Sequence, residues 1–505
     1  MPPSRVDRSA ALVLFIAVCA AYFNSFAGTW QFDDYNVIVN DASVASLSSW
    51  LQAQPTIRPL LKLTYTLNNV SGLGLAGFHV VNLLIHLANS LLVYAVLRRL
   101  THRDDIVFRD QRLAAFLTAL VFALHPAQTE AVTYLCGRST SLAAMFALLS
   151  MLLWLRGREY EDRSDLYLRS PFVFLLALLC KEYVAVLPLA LLLAARLQSG
   201  RMRWVRYALR ESALHWVVLA AVIGAALAVP RYRTLALSSL EARDIMTNLL
   251  TQAQAIVYLA GQLVRFDRLN ADPALPVVAV LDAGAIAWVA AVAATLLIGV
   301  LSLRNYPLLA FSILWFFLWL APTNSFIPRL DVANDRQLYI ALIGPTLGIA
   351  RVLVRLMPRL LQWALVVLLA GGLAFACWQR NQVYVDEVVF WRDVAEKSPH
   401  NARAYANLGH ALALVCRTSD AERALSLAFE LDPNSTQSVI NLALLRAGTL
   451  PGLPAGCVPA PPPAAAPADA PVAAPEGAPD AEQPAAPPVT PEAVPPTPTP
   501  TPTPQ

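Results

Sequence analysis

Eleven apolar runs set the terms on which this chain folds. They lie near residues 9–27, 78–98, 113–125, 139–156, 170–180, 183–196, 212–230, 283–303, 306–322, 338–354 and 360–378. A helix needs roughly 20 apolar residues to cross a bilayer core, and most of these runs reach or approach that length. With 57% apolar and 14% charged residues over 505 positions, and a mean hydropathy of +0.51, the expected fold is all-α. It is a polytopic bundle of about eleven transmembrane spans, not a string of soluble domains. Arg5 and Arg8 before the first run, and Ser25-Phe26-Ala27 at its end, have the form of a signal peptide. Because many spans follow, the anchor reading is preferred. Lys181 and Glu182 alone separate the fifth and sixth runs, so these runs are expected to form a hairpin whose charged tip needs partners.

Arginine marks one set of loops. Arg5 and Arg8, Arg98 to Arg112, Arg156 to Arg169, Arg196 to Arg210, Arg304, and Arg351 to Arg359 alternate with loops of another character. The bias predicts a cytoplasmic N-terminus and a C-terminus outside. The formal charge of +4 becomes +9 (4 plus 5) once the last 55 residues, with five acids and no Lys or Arg, are set aside. That excess is topological and implies no nucleic-acid partner. Six cysteines show neither CxxC nor metal-ligand spacing, so redox and zinc chemistry are not expected.

Residues 1–378 read as the transmembrane domain and 379–450 as a short helical domain of tetratricopeptide type. In the latter, Tyr405, Leu408, Gly409, Ala421, Ala428 and Pro433 fall at the offsets of one repeat, with half repeats on either side. Residues 451–505 hold 20 of the 37 prolines and read as a disordered Pro/Ala/Thr-rich tail. Cys416 and Cys457 are the two cysteines of this outer soluble part and are candidates for a disulfide.

The unusual residues collect in the arginine-poor loops. FDDYNVIVND places Asp33 and Asp34 beside the first span. Such a pair is either a solvated acidic turn or a partly desolvated base able to take a proton from a hydroxyl, with its neighbour orienting it. LHPAQTEAVTYLCGRSTSL puts His125, Glu130 and Arg138 in one compact turn, as helix caps and an ion pair or as site residues. Arg58, Lys181 and Arg336 are either snorkelling anchors or, if they converge, a clamp for a phosphate held at the membrane surface.

Taken in order, FDDYNVIVND, RPL with FHVVNLLIHLANSLLVY, LHPAQTEAVTYLCGR, KEYVAVLPL and DRQLYIALIG, followed by repeats, resemble the transmembrane and tetratricopeptide-repeat protein O-mannosyltransferases and their bacterial relatives. The resemblance covers roughly residues 10–445 and implies a polyprenyl-phosphate-sugar-dependent glycosyltransferase. Such an enzyme transfers mannose or another hexose, with inversion, to a hydroxyl of a protein or glycan acceptor. It further implies that Asp33 or Asp34 is the general base, that Lys181 approaches the donor phosphate, and that His125 and Glu130 form a positioning HPxxTE element. Extending the phosphate role to Arg58, Arg138 and Arg336 follows from their charge alone. No cofactor is implied, although a divalent cation is left open. Membrane lipid surrounds the chain, the repeats are expected to dock the acceptor, and the Arg- and Ala-rich sequence suggests a bacterial inner membrane with a periplasmic site. The alternatives are a lipid-linked oligosaccharide ligase or polymerase, and a non-catalytic anchor that displays repeats. The repeat array is shorter than in the animal enzymes.

Overall fold

The computed structural model describes residues 5–100, 108–198, 204–241, 243–329 and 331–457. The expected tail from residue 458 onward, and Arg103, Arg201 and Arg203, lie outside the described residues. Among the described residues the regular structure is helical, without a strand, and each apolar run falls in helix.

Five segments are long and apolar enough to cross a membrane: Asp7–Ala27, Gly74–Leu100, Leu135–Tyr160, Ala283–Asn305 and Arg359–Tyr384. Two bent pairs, Trp204–Glu211 with Ala213–Ala228 and Asp335–Ala341 with Ile343–Leu356, turn by 54° and 55° and bring the number to seven if each is one span. Other runs form shorter helices, including Phe108–Leu124, Ser170–Leu178, Leu187–Gln198 and Pro307–Leu320. Phe108–Leu124 runs through the middle of the bundle. Its Ala114, Ala115, Ala119 and Ala123 are wholly buried, because small side chains let neighbouring backbones approach. Ala283–Asn305 and Arg359–Asn381 instead turn Leu301, Val367 and Leu368 outward, as a lipid-facing surface requires.

The loops sort to two ends. At one, Arg98 pairs with Asp7, Arg99 with Glu159, and Arg158 with Glu211, while Arg196 donates to the carbonyls of Leu303 and Arg304 at 2.6 Å each. These are the arginine-rich loops. At the other end, residues 28–58, 125–138, 179–183, 263–272, 321–329, 331–337 and 381–403 meet in a single mouth. Gly28 accepts from His79 (3.2 Å), Leu60 N–H donates to the Leu179 carbonyl (3.3 Å), and Thr29 N–H donates to the Tyr384 carbonyl (3.1 Å). Alternating helix direction thus gathers loops that are hundreds of residues apart in sequence.

Four helices follow the last span: Glu387–Lys397, Ala402–Leu414, Thr418–Leu431 and Thr436–Arg446. Asp386, Asn401 and Ser435 cap three of them through side-chain acceptors, contacts worth about 1 kcal/mol each. Gly409 is where the second and third of these helices touch: a Cβ there would stand 2.6 Å from Leu425 and 3.0 Å from the Ala421 carbonyl. A Cys416–Cys457 disulfide links the end of Ala402–Leu414 to the segment beyond the final helix. The group is joined to the bundle by polar contacts. Arg380 reaches Asp393 (2.6 Å), and Lys397 reaches Asp393 (2.6 Å) and the Leu269 carbonyl (2.8 Å).

Candidate active site

The acidic loop is anchored by one of its two acids. Asp34 is fully buried; one carboxylate oxygen accepts Gln31 N–H at 2.9 Å and the other accepts Cys136 N–H at 2.7 Å. Burial pushes its pKa up to about 8 against the opposing pull of those two N–H donors. Asp33 is half-buried. Its backbone N–H donates to the Tyr134 hydroxyl (3.0 Å), and its carboxylate has no hydrogen-bond or ion-pair partner among the described residues. The preceding Phe32 has φ +43°, a left-handed conformation costly for a bulky side chain.

Tyr134 connects acid to cation. Its hydroxyl receives Asp33, and its ring lies 5.8 Å from the guanidinium of Arg336. Arg336 is held by Glu130, whose carboxylate sits 3.6 Å from the guanidinium and also accepts the Arg336 backbone N–H at 3.0 Å. Glu130 is 2% exposed, and burial raises its pKa against the pull of Arg336 and Arg380. The turn that brings Glu130 here requires Gly137, where a Cβ would lie 2.2 Å from the Glu130 carbonyl oxygen.

Lys181, Arg329 and Arg336 line a narrow cleft with Thr140, Asn334 and Gln337, and the charge of Asp33 is felt at Arg336. Lys181 donates to Thr140 (2.8 Å) and Ser139 (3.2 Å), both neutral hydroxyls. The Arg329 guanidinium has no hydrogen-bond or ion-pair partner among the described residues. Burial lowers the pKa of Lys181 and of Arg329, and neighbouring cations lower both further. The amide N and O of Asn334 and of Gln337 are buried without partners. Clustered cations beside unsatisfied amides form a site that is electrostatically incomplete. Arg58 stands at the rim with two N–H groups on Glu182, one at 3.0 Å, fixing the charged hairpin tip.

Two residues expected in the site have their polar groups engaged within the protein. Arg138 is fully buried and committed: it donates to Asn82 (2.6 Å) and to the carbonyls of Phe78 (3.1 Å) and Thr64 (3.3 Å), between the rings of Tyr65 and Phe78. It is a packing centre and has no open side towards a phosphate, and Glu130 pairs with Arg336 instead of with it. His125 is likewise buried. Its Nδ1 accepts Ala127 N–H (3.2 Å) and its Nε2 faces the Leu263 carbonyl (3.1 Å), so it caps a turn and ties two loops together. Burial lowers its pKa to about 4 and keeps it neutral. Arg329, Asn334, Gln337 and Tyr134 were not singled out by sequence reasoning. Their signal was membership of the same polar loops as Arg336 and Glu130. Among the described residues no cluster of three or more His, Cys, Asp or Glu is arranged to hold a metal.

The fold and the mouth define a polytopic helical membrane protein with a free carboxylate and a cationic cleft among the loops of one end. About a third of the chain is similar to the transmembrane and tetratricopeptide-repeat protein O-mannosyltransferases, the family its motifs resemble. Human protein O-mannosyl-transferase TMTC4 is 31% identical over 201 residues, covering 34% of this chain and 27% of its own length. Mouse TMTC1 is 32% identical over 193 residues, covering 34% and 20%. Caenorhabditis elegans protein O-mannosyl-transferase F38B6.6 is 29% identical over 164 residues, covering 29% and 23%. The matched part of the chain therefore spans about a quarter or less of these relatives' length. No family model matches the chain, and no solved structure matches it significantly.

Proposed function

We propose that this protein is an integral-membrane glycosyltransferase that moves a hexose, mannose or another, from a polyprenyl-phosphate donor to a hydroxyl of a protein or glycan acceptor. The observation that carries the reading is the unpaired Asp33 carboxylate among the same loops as the cleft lined by Lys181, Arg329 and Arg336. In this scheme Asp33 takes the proton of the acceptor hydroxyl. The oxygen attacks the anomeric carbon from the face opposite the phosphate, the C–O bond to the phosphate breaks, and the configuration inverts. The three cations take up the charge gathering on the departing polyprenyl phosphate. Asp34 has both oxygens occupied by backbone donors, so it serves as the orienting neighbour and Asp33 as the base. Glu130 aims Arg336 and His125 braces the loop, both as positioning residues.

The relatives' printed activity, protein O-mannosyl transfer, supports this chemistry. The arginine-rich end lies in the cytoplasm and the mouth outside it, in a bacterial inner membrane with the repeats on the periplasmic side. Residues 379–450 receive the acceptor, and residues 451–505 act as a spacer or tail. The test is purified full-length protein with a panel of polyprenyl-phosphate sugars and release of polyprenyl phosphate as readout. Asp33→Asn should abolish release with membrane abundance unchanged. Transfer without any lipid-phosphate donor, or full activity of Asp33→Asn, would overturn the reading.

A further inference from the structure

Phe32, next to the proposed base, is gripped by the repeat helices. Trp391 of Glu387–Lys397 meets its ring edge-on, centroids 5.2 Å apart, and the Arg403 guanidinium of Ala402–Leu414 lies 5.4 Å from the ring centroid. A bulky residue in the left-handed region persists where its surroundings over-determine it, and these two side chains supply that constraint. The rest of the loop is held from the same side. Gln31 donates to the Tyr384 carbonyl (3.3 Å), and Tyr35, its pKa raised by burial and by the charge of Glu387, lies beside that carboxylate.

Arg403 also reaches the cation side. It binds Asp272 through two N–H groups, at 2.9 and 2.6 Å, and Asp331 at 2.8 Å. Asp331 lies two residues from Arg329. One guanidinium from the repeat segment thus touches the acid loop through Phe32 and the cation loop through Asp331.

We propose that the repeat helices are a working part of the catalytic centre as well as an outer module: Arg403, with Trp391, sets the distance between the Asp33 carboxylate and the Lys181–Arg329–Arg336 cleft. Arg403 is a positioning residue, and the inference rests on Asp33 being the base. A displacement of the order of 1 Å in such a site costs roughly a hundredfold in rate, with little change in ground-state binding.

The test uses the full chain in detergent or nanodiscs. Arg403→Met should lower kcat between 10- and 100-fold, with the KM for the lipid donor changed less than threefold. Hydrogen exchange should rise in residues 29–41, with the transmembrane helices unaffected. Arg403→Lys should recover at least threefold over Arg403→Met. Phe32→Leu, which leaves every repeat contact of Arg403 with the two aspartates in place, should reproduce the kcat loss and covers the case in which Arg403→Met fails to fold. Unchanged kcat in Phe32→Leu and in folded Arg403→Met, with an active wild type, overturns this inference alone. A wild type that transfers no sugar from any polyprenyl-phosphate donor overturns the reading of Asp33 and this inference with it.

Discussion

The Asp34 carboxylate accepts the backbone N–H of Cys136 at 2.7 Å across 102 residues of sequence. This contact fastens the loop after the first span to the turn after Phe108–Leu124. It also distinguishes two adjacent acids, since Asp34 has both oxygens on backbone donors while the Asp33 carboxylate has no partner among the described residues.

Asp34 gives a pH signature with a definite sign. Its folded pKa, about 8, lies above the usual carboxylate range, so its contribution to stability is complete below about pH 4. That contribution is lost as pH rises through about 8. Thermal unfolding of Asp34→Asn should lack this decline between pH 4 and 8. Parallel wild-type and variant curves across that range would remove the assignment.

Glu130 is the buried partner of Arg336. Removing one member of such a pair strands the other, at a cost of about 3 to 5 kcal/mol. Glu130→Ala should therefore lower the unfolding midpoint markedly, while Glu130→Gln, which still accepts the Arg336 backbone N–H, should lose less. Equal midpoints for the two variants would argue that the pair is not what holds Arg336.

The cations should separate by kind. Arg138→Met should cut the yield of folded protein, because Asn82 and the Phe78 and Thr64 carbonyls lose their donor. Lys181→Gln and Arg329→Gln should fold normally and lower kcat/KM for the lipid donor by about 10- to 1000-fold. Size-exclusion profiles alongside donor kinetics distinguish the classes. A well-folded Arg138→Met with raised donor KM would return Arg138 to the clamp.

The Cys416–Cys457 bridge closes a 41-residue separation over the last two helices. Cys416→Ser with Cys457→Ser should destabilise this segment by about 2 to 4 kcal/mol and increase its hydrogen exchange. The mouth, held by its own polar contacts, should keep its exchange pattern. Identical exchange in residues 402–457 of both forms would show the bridge to be dispensable.

Much of this protein is legible in one dimension because membrane insertion and helix pairing act locally. Apolar runs become helices since lipid offers a backbone no other partner, and the small residues at 409 and 421 announce a close helix contact before it is seen. The polar loops, where Asp33, Glu130, Lys181 and Arg336 stand, are legible for the same reason: charge stays out of the core. Which charges meet is another matter. Arg138 and Arg329 look alike in sequence, yet one is absorbed by Asn82 and two carbonyls while the other lines the cleft. Glu130 passes over Arg138, eight positions away, and pairs with Arg336, 206 positions away. Sequence determined the helices and named part of the set of polar groups that gather in the loops. Tertiary structure alone decided which candidates face one another, because partner choice for a buried charge depends on where distant helices end in space.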